Sequence, residues 1–324
     1  MKNRKQKIVT IGGGTGSFTV LLGLKKLPVE ITAIVSMADD GGSTGVLRDE
    51  LGVLPPGDIR QCLVALSKSS ETMRELFNYR YNSGGLIGHS FGNIFLSTLE
   101  KVTDSFSDAI TEAGKLLNIR GKVVPVTLTR VDLIAKLISG KILLGENRID
   151  ESDLSNLKKI YLKPKARANP EAIKAIRQAD KIIINPGSLY TSIIPSFLVE
   201  DIPQAIIKSK AKKIYICNLI NKVGQTNDFT VLDFLSKIEE YLSINSIDWV
   251  VYNKKRPDRS LLKKYSNEGK FVEFGNIEDS RKAKFIGANF LSAKTYKQKR
   301  NDKIKRTLIR HDSDKIAKVI YKIV

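Results

Sequence analysis

The chain has 324 residues, 42% of them hydrophobic, enough for a sizeable core in one large α/β domain or two smaller ones. Its two cysteines, Cys62 and Cys217, stand far apart in no metal or redox spacing, which excludes a disulfide framework and fits a reducing cytoplasm. The net charge of +20 (54 Lys+Arg against 34 Asp+Glu) favours anionic partners. The basic residues are spread through a Lys-, Ile- and Asn-rich chain and are denser only between Lys294 and Arg310. An anionic small molecule is therefore expected ahead of nucleic acid.

No stretch approaches the ~20 apolar residues of a membrane helix. The basic start, Met1 to Lys7, resembles the head of a signal peptide, but the apolar run behind it breaks at Gly12, too soon for one. A soluble protein without a membrane span is expected.

Lys7 to Ile11 reads as a buried strand, rich in β-branched residues. Gly12, Gly13, Gly14, Thr15 and Gly16 follow, then Phe18 to Leu27 with apolar residues at helical spacing, stopped by Pro28. Strand, glycine loop and helix start together make an anion site, most often for phosphate. Ser17 stands where a third dinucleotide-fingerprint glycine should fall, and no Lys-Ser/Thr pair follows as in a Walker loop. The bland alternative is a turn with only a packing role.

Glu30 to Ala38 reads as a second buried strand ending in Asp39-Asp40-Gly41-Gly42. Carboxylates at that strand end can accept from ribose hydroxyls or hold a cation, and hard oxygens suit magnesium. The alternative is an Asx turn. Leu47 to Leu51 is a short helix; Pro55-Pro56-Gly57-Asp58 is a rigid turn whose Asp58 can cap a helix from Ile59 to Ser67. Glu71–Tyr79, Ile94–Val102 and Asp104–Leu117 continue in helical pattern, so about 59–117 is expected to be a helical insertion over the sheet edge.

Short strands are expected over Val123–Leu128, Leu133–Ser139, Lys141–Leu144 and Ile160–Leu162, and a helix over Pro170–Asp180. Lys181 to Ile184 is a buried strand opening into Asn185-Pro186-Gly187-Ser188, a second loop placed to hold the far side of the same ligand. Helices follow at Ile194–Leu198, Ile202–Ser209 and Val231–Leu242, and a last one at Asp314–Tyr321. Strands are expected at Lys213–Cys217, Trp249–Tyr252 and Phe271–Phe274. Without repeat or linker, the alternation gives one doubly wound α/β domain over 1–324 with a mainly parallel sheet.

Gly88-His89-Ser90-Phe91-Gly92 is a literal G-x-S-x-G, yet the residues before it cannot form the strand a nucleophile elbow needs. A serine hydrolase at Ser90 is the third reading. The competing reading is a helix start whose Ser90 and Asn93 hold a phosphate or sugar. Arg310-His311-Asp312 has no packing rationale, and Arg310 can pair bidentately with a phosphate.

These motifs, in this order and spacing, resemble the YvcK-type gluconeogenesis factors, relatives of the 2-phospho-lactate transferase of deazaflavin-coenzyme synthesis. The resemblance implies a cytoplasmic bacterial protein with a Rossmann-like core that binds UDP-sugars, especially UDP-N-acetylglucosamine, and serves carbon metabolism, cell shape and the envelope. It implies that Arg310 contacts the nucleotide-sugar and that Ser313 is a phosphorylation site. The related transferase moves a phospholactyl group from a guanosine diphosphate donor with magnesium, and a transferase of that type is the alternative reading. Where the family usually has a proline before the glycine, this chain has Asn221-Lys222-Val223-Gly224-Gln225. The expected ligand set is Gly12 to Gly16, Asp39, Asp40, Ser90, Asn93, Asn185, Gly187, Ser188 and Arg310. Asp39 and Asp40 are candidate magnesium ligands; a homo-oligomer and a regulatory protein partner are further expectations.

Overall fold

A computed structural model describes residues 4–264, 269–276, 282–293 and 309–324. Strand β1 (Gln6–Ile11) leads through helix α1 (Gly14–Leu24) into β2 (Val29–Val35). Five helices then run to β3 (Lys122–Pro125): α2 (Gly42–Leu51), α3 (Gly57–Leu66), α4 (Glu71–Asn78), α5 (Phe91–Thr103) and α6 (Phe106–Leu116). As expected, no strand interrupts them. Next come β4 (Asp132–Leu137), β5 (Ile142–Leu144), α7 (Glu146–Asp150) and β6 (Leu157–Lys163). The sheet resumes with β7 (Lys181–Ile184), β8 (Lys212–Ile216), β9 (Trp249–Asn253) and β10 (Lys284–Ala288).

Seven strands form one parallel sheet in the order β10-β9-β8-β7-β1-β2-β3, the doubly wound α/β fold that the alternation predicts. Its central strands are buried on both faces, which is why Ile182, Ile183 and Ile184 form an uninterrupted apolar run, each 0% exposed. The chain leaves β1 toward β2 on one side and returns to β7 on the other. The switch point, where such sheets bind ligands, therefore lies between the ends of β1 and β7.

The short strands at 132–163 do not join this sheet. They make a separate antiparallel sheet, β5-β4-β6, with α7 at its end. Phe271–Phe274 is not a strand: Val272 N–H donates to the Leu219 carbonyl and only Phe271 makes a bridge, to Ile220. The Phe274 ring lodges between Tyr252 and Phe285. The last strand is instead β10, whose Gly287 conceals it in the sequence. A Cβ there would meet the Tyr252 ring at 2.4 Å.

Lys181 begins β7 yet is only 3% exposed. Its Nζ donates to the carbonyls of Ile320 and Tyr321, both at 2.9 Å, closing the carboxyl end of the helix Ser313–Lys322. Replacing it with Met leaves those carbonyls unpaired. Lys181→Met should lower unfolding free energy by about 2 kcal/mol in a denaturant titration, whereas Lys7→Met, on a partly exposed neighbour, should change it little.

Candidate functional site

Four helix amino termini meet beyond the ends of β1 and β2. α1, α2, α3 and α5 begin after Gly13, Gly41, Pro56 and Ser90, and none has a side-chain cap. Among the longer helices elsewhere, Ser70, Ser105, Asn169, Thr230 and Asp312 cap α4, α6, 170–178, 231–241 and 313–322, whereas the short helices at 146–150, 194–197 and 202–208 also lack a side-chain cap of their own. Each helix start leaves donor N–H groups and a positive dipole end, so their convergence is a strong anion site.

The glycines fit the close approach. α1 starts inside the glycine loop, earlier than its apolar pattern indicates. A Cβ on Gly13 would lie 2.0 Å from Asp58 Oδ2, and one on Gly16 would lie 1.7 Å from the Pro186 carbonyl oxygen. Gly14, at φ 63°, has open space where its Cβ would be. Gly13 and Gly16 thus have packing duties, while Gly14 and Thr15 border the opening. The Asn185 loop packs directly against the glycine loop: Asn185 Nδ2 donates to Ser17 Oγ (2.9 Å), which donates to the Gly13 carbonyl (3.0 Å). Gly187 is held by Asn218 in both directions, at 3.0 and 2.8 Å.

Carboxylates crowd this positive site. Asp58 does not cap its helix, because the preset φ of Pro55-Pro56 starts α3 at Gly57 and turns the carboxylate toward α1. Burial and the neighbouring Asp39 charge push Asp58 up to about 7, against the pull of the Gly14 N–H and Arg60. Asp39 is raised by burial first and then by Asp40, although the Gly41 N–H (3.0 Å) and Thr44 hydrogen-bond it. Glu146 of α7 is pushed up to about 9 by burial, then by Asp39 and Asp150.

α7 and its small sheet form the opposite wall. Asp40 is not aimed into the cleft: its two oxygens accept from the N–H groups of Glu146 (3.1 Å) and Asn147 (2.8 Å), fixing α7. Asp150 accepts from Ser188 Oγ (2.9 Å), Thr191 Oγ1 (2.8 Å) and Lys222 Nζ (2.5 Å). Burial raises Asp150, but the Lys222 hydrogen bond and charge, with the two hydroxyls, outweigh it and hold the group below its ordinary range. Gln225 Nε2 donates to the Ile149 (3.0 Å) and Asp150 (2.9 Å) carbonyls. The loop without the proline is therefore the strut that ties α7 to the sheet.

Ser90 and Asn93 sit at the start of α5, buried. Ser90 Oγ donates to the Phe77 carbonyl (3.4 Å), away from either histidine, so no nucleophile–base pair forms. Asn93 Oδ1 accepts from Arg60 Nε (2.8 Å) and its Nδ2 donates to Ser43 Oγ (3.3 Å), locking α5 to α3 and α2. Ser43 Oγ also lies 3.2 Å from His89 Nδ1. Arg310 stands half-buried beside the end of β8, where His311 hydrogen-bonds the Cys217 carbonyl; burial pushes His311 down to about 4. The motif does have packing duties: Asp312 caps the last helix through the Asp314 and Lys315 N–H groups, both at 3.0 Å. Ser313 is that helix's first residue, its carbonyl against Gly23. The basic run from Lys294 lies outside the described residues up to 308.

Known proteins agree with this architecture. A family model described as 2-phospho-L-lactate transferase CofD matches residues 8–294. The chain belongs to the CofD family. Within it, the gluconeogenesis factor of Bacillus subtilis is 41% identical over 322 residues, covering 98% of each chain. A Clostridium acetobutylicum relative is 41% identical over 324 residues, covering 98% of this chain and 69% of its own. A crystal structure of a UPF0052 family member from Bacillus halodurans superposes with a TM-score of 0.89 at 36% identity, covering 98% of this chain and 99% of that one. Among the described residues of this CofD-family chain, no helix is long and apolar enough to cross a membrane.

Asp58, Glu146, Asp150 and Lys222 escaped the sequence reading. Asp58 resembled a cap, and the three others lie on elements whose docking no local pattern encodes. Among the described residues no three His, Cys, Asp or Glu gather tightly enough to hold a metal alone. Asp39 and Asp58 nevertheless fit magnesium shared with phosphate oxygens, the usual arrangement for that ion, whereas Asp40 is committed to α7.

The raised carboxyls set a pH dependence. The folded state binds protons at Asp58 up to about 7 and at Glu146 up to about 9, whereas the unfolded carboxyls release them near 4. Stability from these groups is therefore full below about 4 and falls as pH rises, through 7 for Asp58 and through 9 for Glu146. His311 acts oppositely, costing stability below about 6.5. Subtracting the melting-temperature profile of Asp58→Asn from that of the wild type should isolate a decline between pH 4 and 7; a flat difference would remove the buried-acid account.

Proposed function

We propose that this protein binds a nucleotide-diphosphate sugar, of the UDP-N-acetylglucosamine type, and acts as a regulator through that binding. The observation that carries the reading is the meeting of four uncapped helix starts around Asp39 and Asp58. The helix starts attract a diphosphate, and magnesium held by the two carboxylates would make its charge compatible with them. Gly14 and Thr15 border the diphosphate, Asp39 and Asp58 hold the ion, and Arg310 reaches the sugar or a phosphate. Asn93, Ser90 and Asn185 act behind these groups by fixing the helix starts. The name carried by the Bacillus subtilis relative supports a role in carbon metabolism, with links to cell shape and the envelope as the wider form of the same proposal.

A transferase is the second reading, favoured by one feature. Asp58, with a carboxyl near 7 beside Gly14, is poised to accept a proton at the phosphate site. The family model, named for a phospholactyl transferase, points the same way. Steady release of nucleotide that depends on magnesium and a second substrate would select it.

Thermal shift separates these readings. With magnesium and UDP-N-acetylglucosamine at a hundred times its dissociation constant, the protein should gain about 2.7 kcal/mol. Asp58→Asn should lose most of that gain while keeping its own fold. Absence of stabilisation by any UDP or GDP compound would defeat both.

A further inference from the structure

The small sheet turns one face away from the core; Ile134 on it is 5% exposed, whereas among the described residues its β5 edge and the turn before β5 stand open. Pairing places Ile134 opposite Leu144 and Tyr161, Lys136 opposite Ile142 and Lys159, and Asp132 opposite Lys163. Side chains alternate along a strand, so these residues share one face, while Leu133, Ala135, Leu143, Ile160 and Leu162 face the core. On the outer face Ile142 and Leu144 are 55% and 57% exposed, and Ile138, at the turn before them, is 69% exposed. Lys136, Lys141, Lys159 and Lys163 stand exposed around this aliphatic edge, with Asp132 the only acid among the described residues of the face. Asp132 is already engaged by Arg48 (3.1 Å). Tyr161 lies half-buried under Lys159, whose Nζ is 5.6 Å from the ring.

We infer that this face docks on an anionic lipid surface, with Ile138, Ile142 and Leu144 entering the headgroup boundary and the four lysines pairing with lipid phosphates. The chemistry separates this occupant from the alternatives. Protein interfaces are depleted in Lys and anchored by Trp, Tyr or Arg, whereas the exposed edge here is flanked by lysines, with a single tyrosine on the face and Arg48 taken up by Asp132. A second copy would bring the same lysines and another net charge of +20 against them. Aliphatic residues on an edge, flanked by long cationic side chains that keep their heads in water, match the interfacial zone of a bilayer, where tyrosine also sits. Each lysine near an anionic surface contributes enough attraction for roughly fivefold in affinity.

The orientation is compatible with an open site. Asp150 and Glu146 are on α7, on the cleft side of the same unit, so lipid on the outer face leaves the cleft free.

Vesicle co-sedimentation of the full chain tests the assignment. Vesicles of equal parts phosphatidylglycerol and phosphatidylethanolamine should sediment the protein in a salt-sensitive way, and phosphatidylcholine vesicles should not. The variant Ile138→Ser, Ile142→Ser, Leu144→Ser should lose most binding, and Lys136→Gln with Lys159→Gln should weaken it roughly 25-fold. Both variants alter exposed side chains and should melt like the wild type. No sedimentation, or sedimentation of both variants equal to that of the wild type, would overturn the proposal. Equal binding would mean that overall charge suffices. Nucleotide-sugar binding enters none of these readouts, so the two proposals fail separately.

Discussion

The structure depends on a conflict between charge and position at the ends of β1 and β2. Four helix starts supply positive dipole ends there, and Asp39, Asp58 and Glu146 supply half-buried carboxyls that repel one another. Neither half is comfortable alone. The Gly14 N–H and Arg60 relieve Asp58 only in part, which leaves its carboxyl near 7. A cation between carboxylates and a diphosphate on the helix starts would relieve both halves together.

The surrounding architecture maintains that conflict. Arg60 is held by Asn93 and by the Asn78 side chain (2.6 Å), so its charge stays beside the acids. Asp40 and Gln225 fasten α7 from two directions, which keeps Glu146 facing Asp39. Asp150, by contrast, is neutralised by Lys222 and two hydroxyls, and serves as a strut. Of the acids in the cleft, one is structural and the others are strained by their environment. Such displaced carboxyls are characteristic of functional sites.

Much of the fold was legible because its central strands are buried on both faces and read as short aliphatic runs between glycine- and proline-marked turns. The Gly12–Gly16 and Asn185–Ser188 loops were legible for the same reason, since each follows such a strand. What escaped depends on long-range docking. Asp58 looked like a cap because helix starts attract aspartate, and only the approach of α1 redirects it. Asp39 and Asp40 are neighbours in sequence with opposite duties, one toward the cleft and one toward α7, and no local pattern separates them. β10 stayed hidden behind a glycine required by the Tyr252 ring, and the separate small sheet behind strands too short to announce their partners.

The most direct test is a crystal structure with a nucleotide-diphosphate sugar and manganese in place of magnesium, read by anomalous scattering. The account predicts one manganese peak bridging Asp39, Asp58 and the diphosphate, with phosphate oxygens on the N–H groups that open α1. A diphosphate bound away from those helix starts, or manganese that avoids both carboxylates, would contradict it.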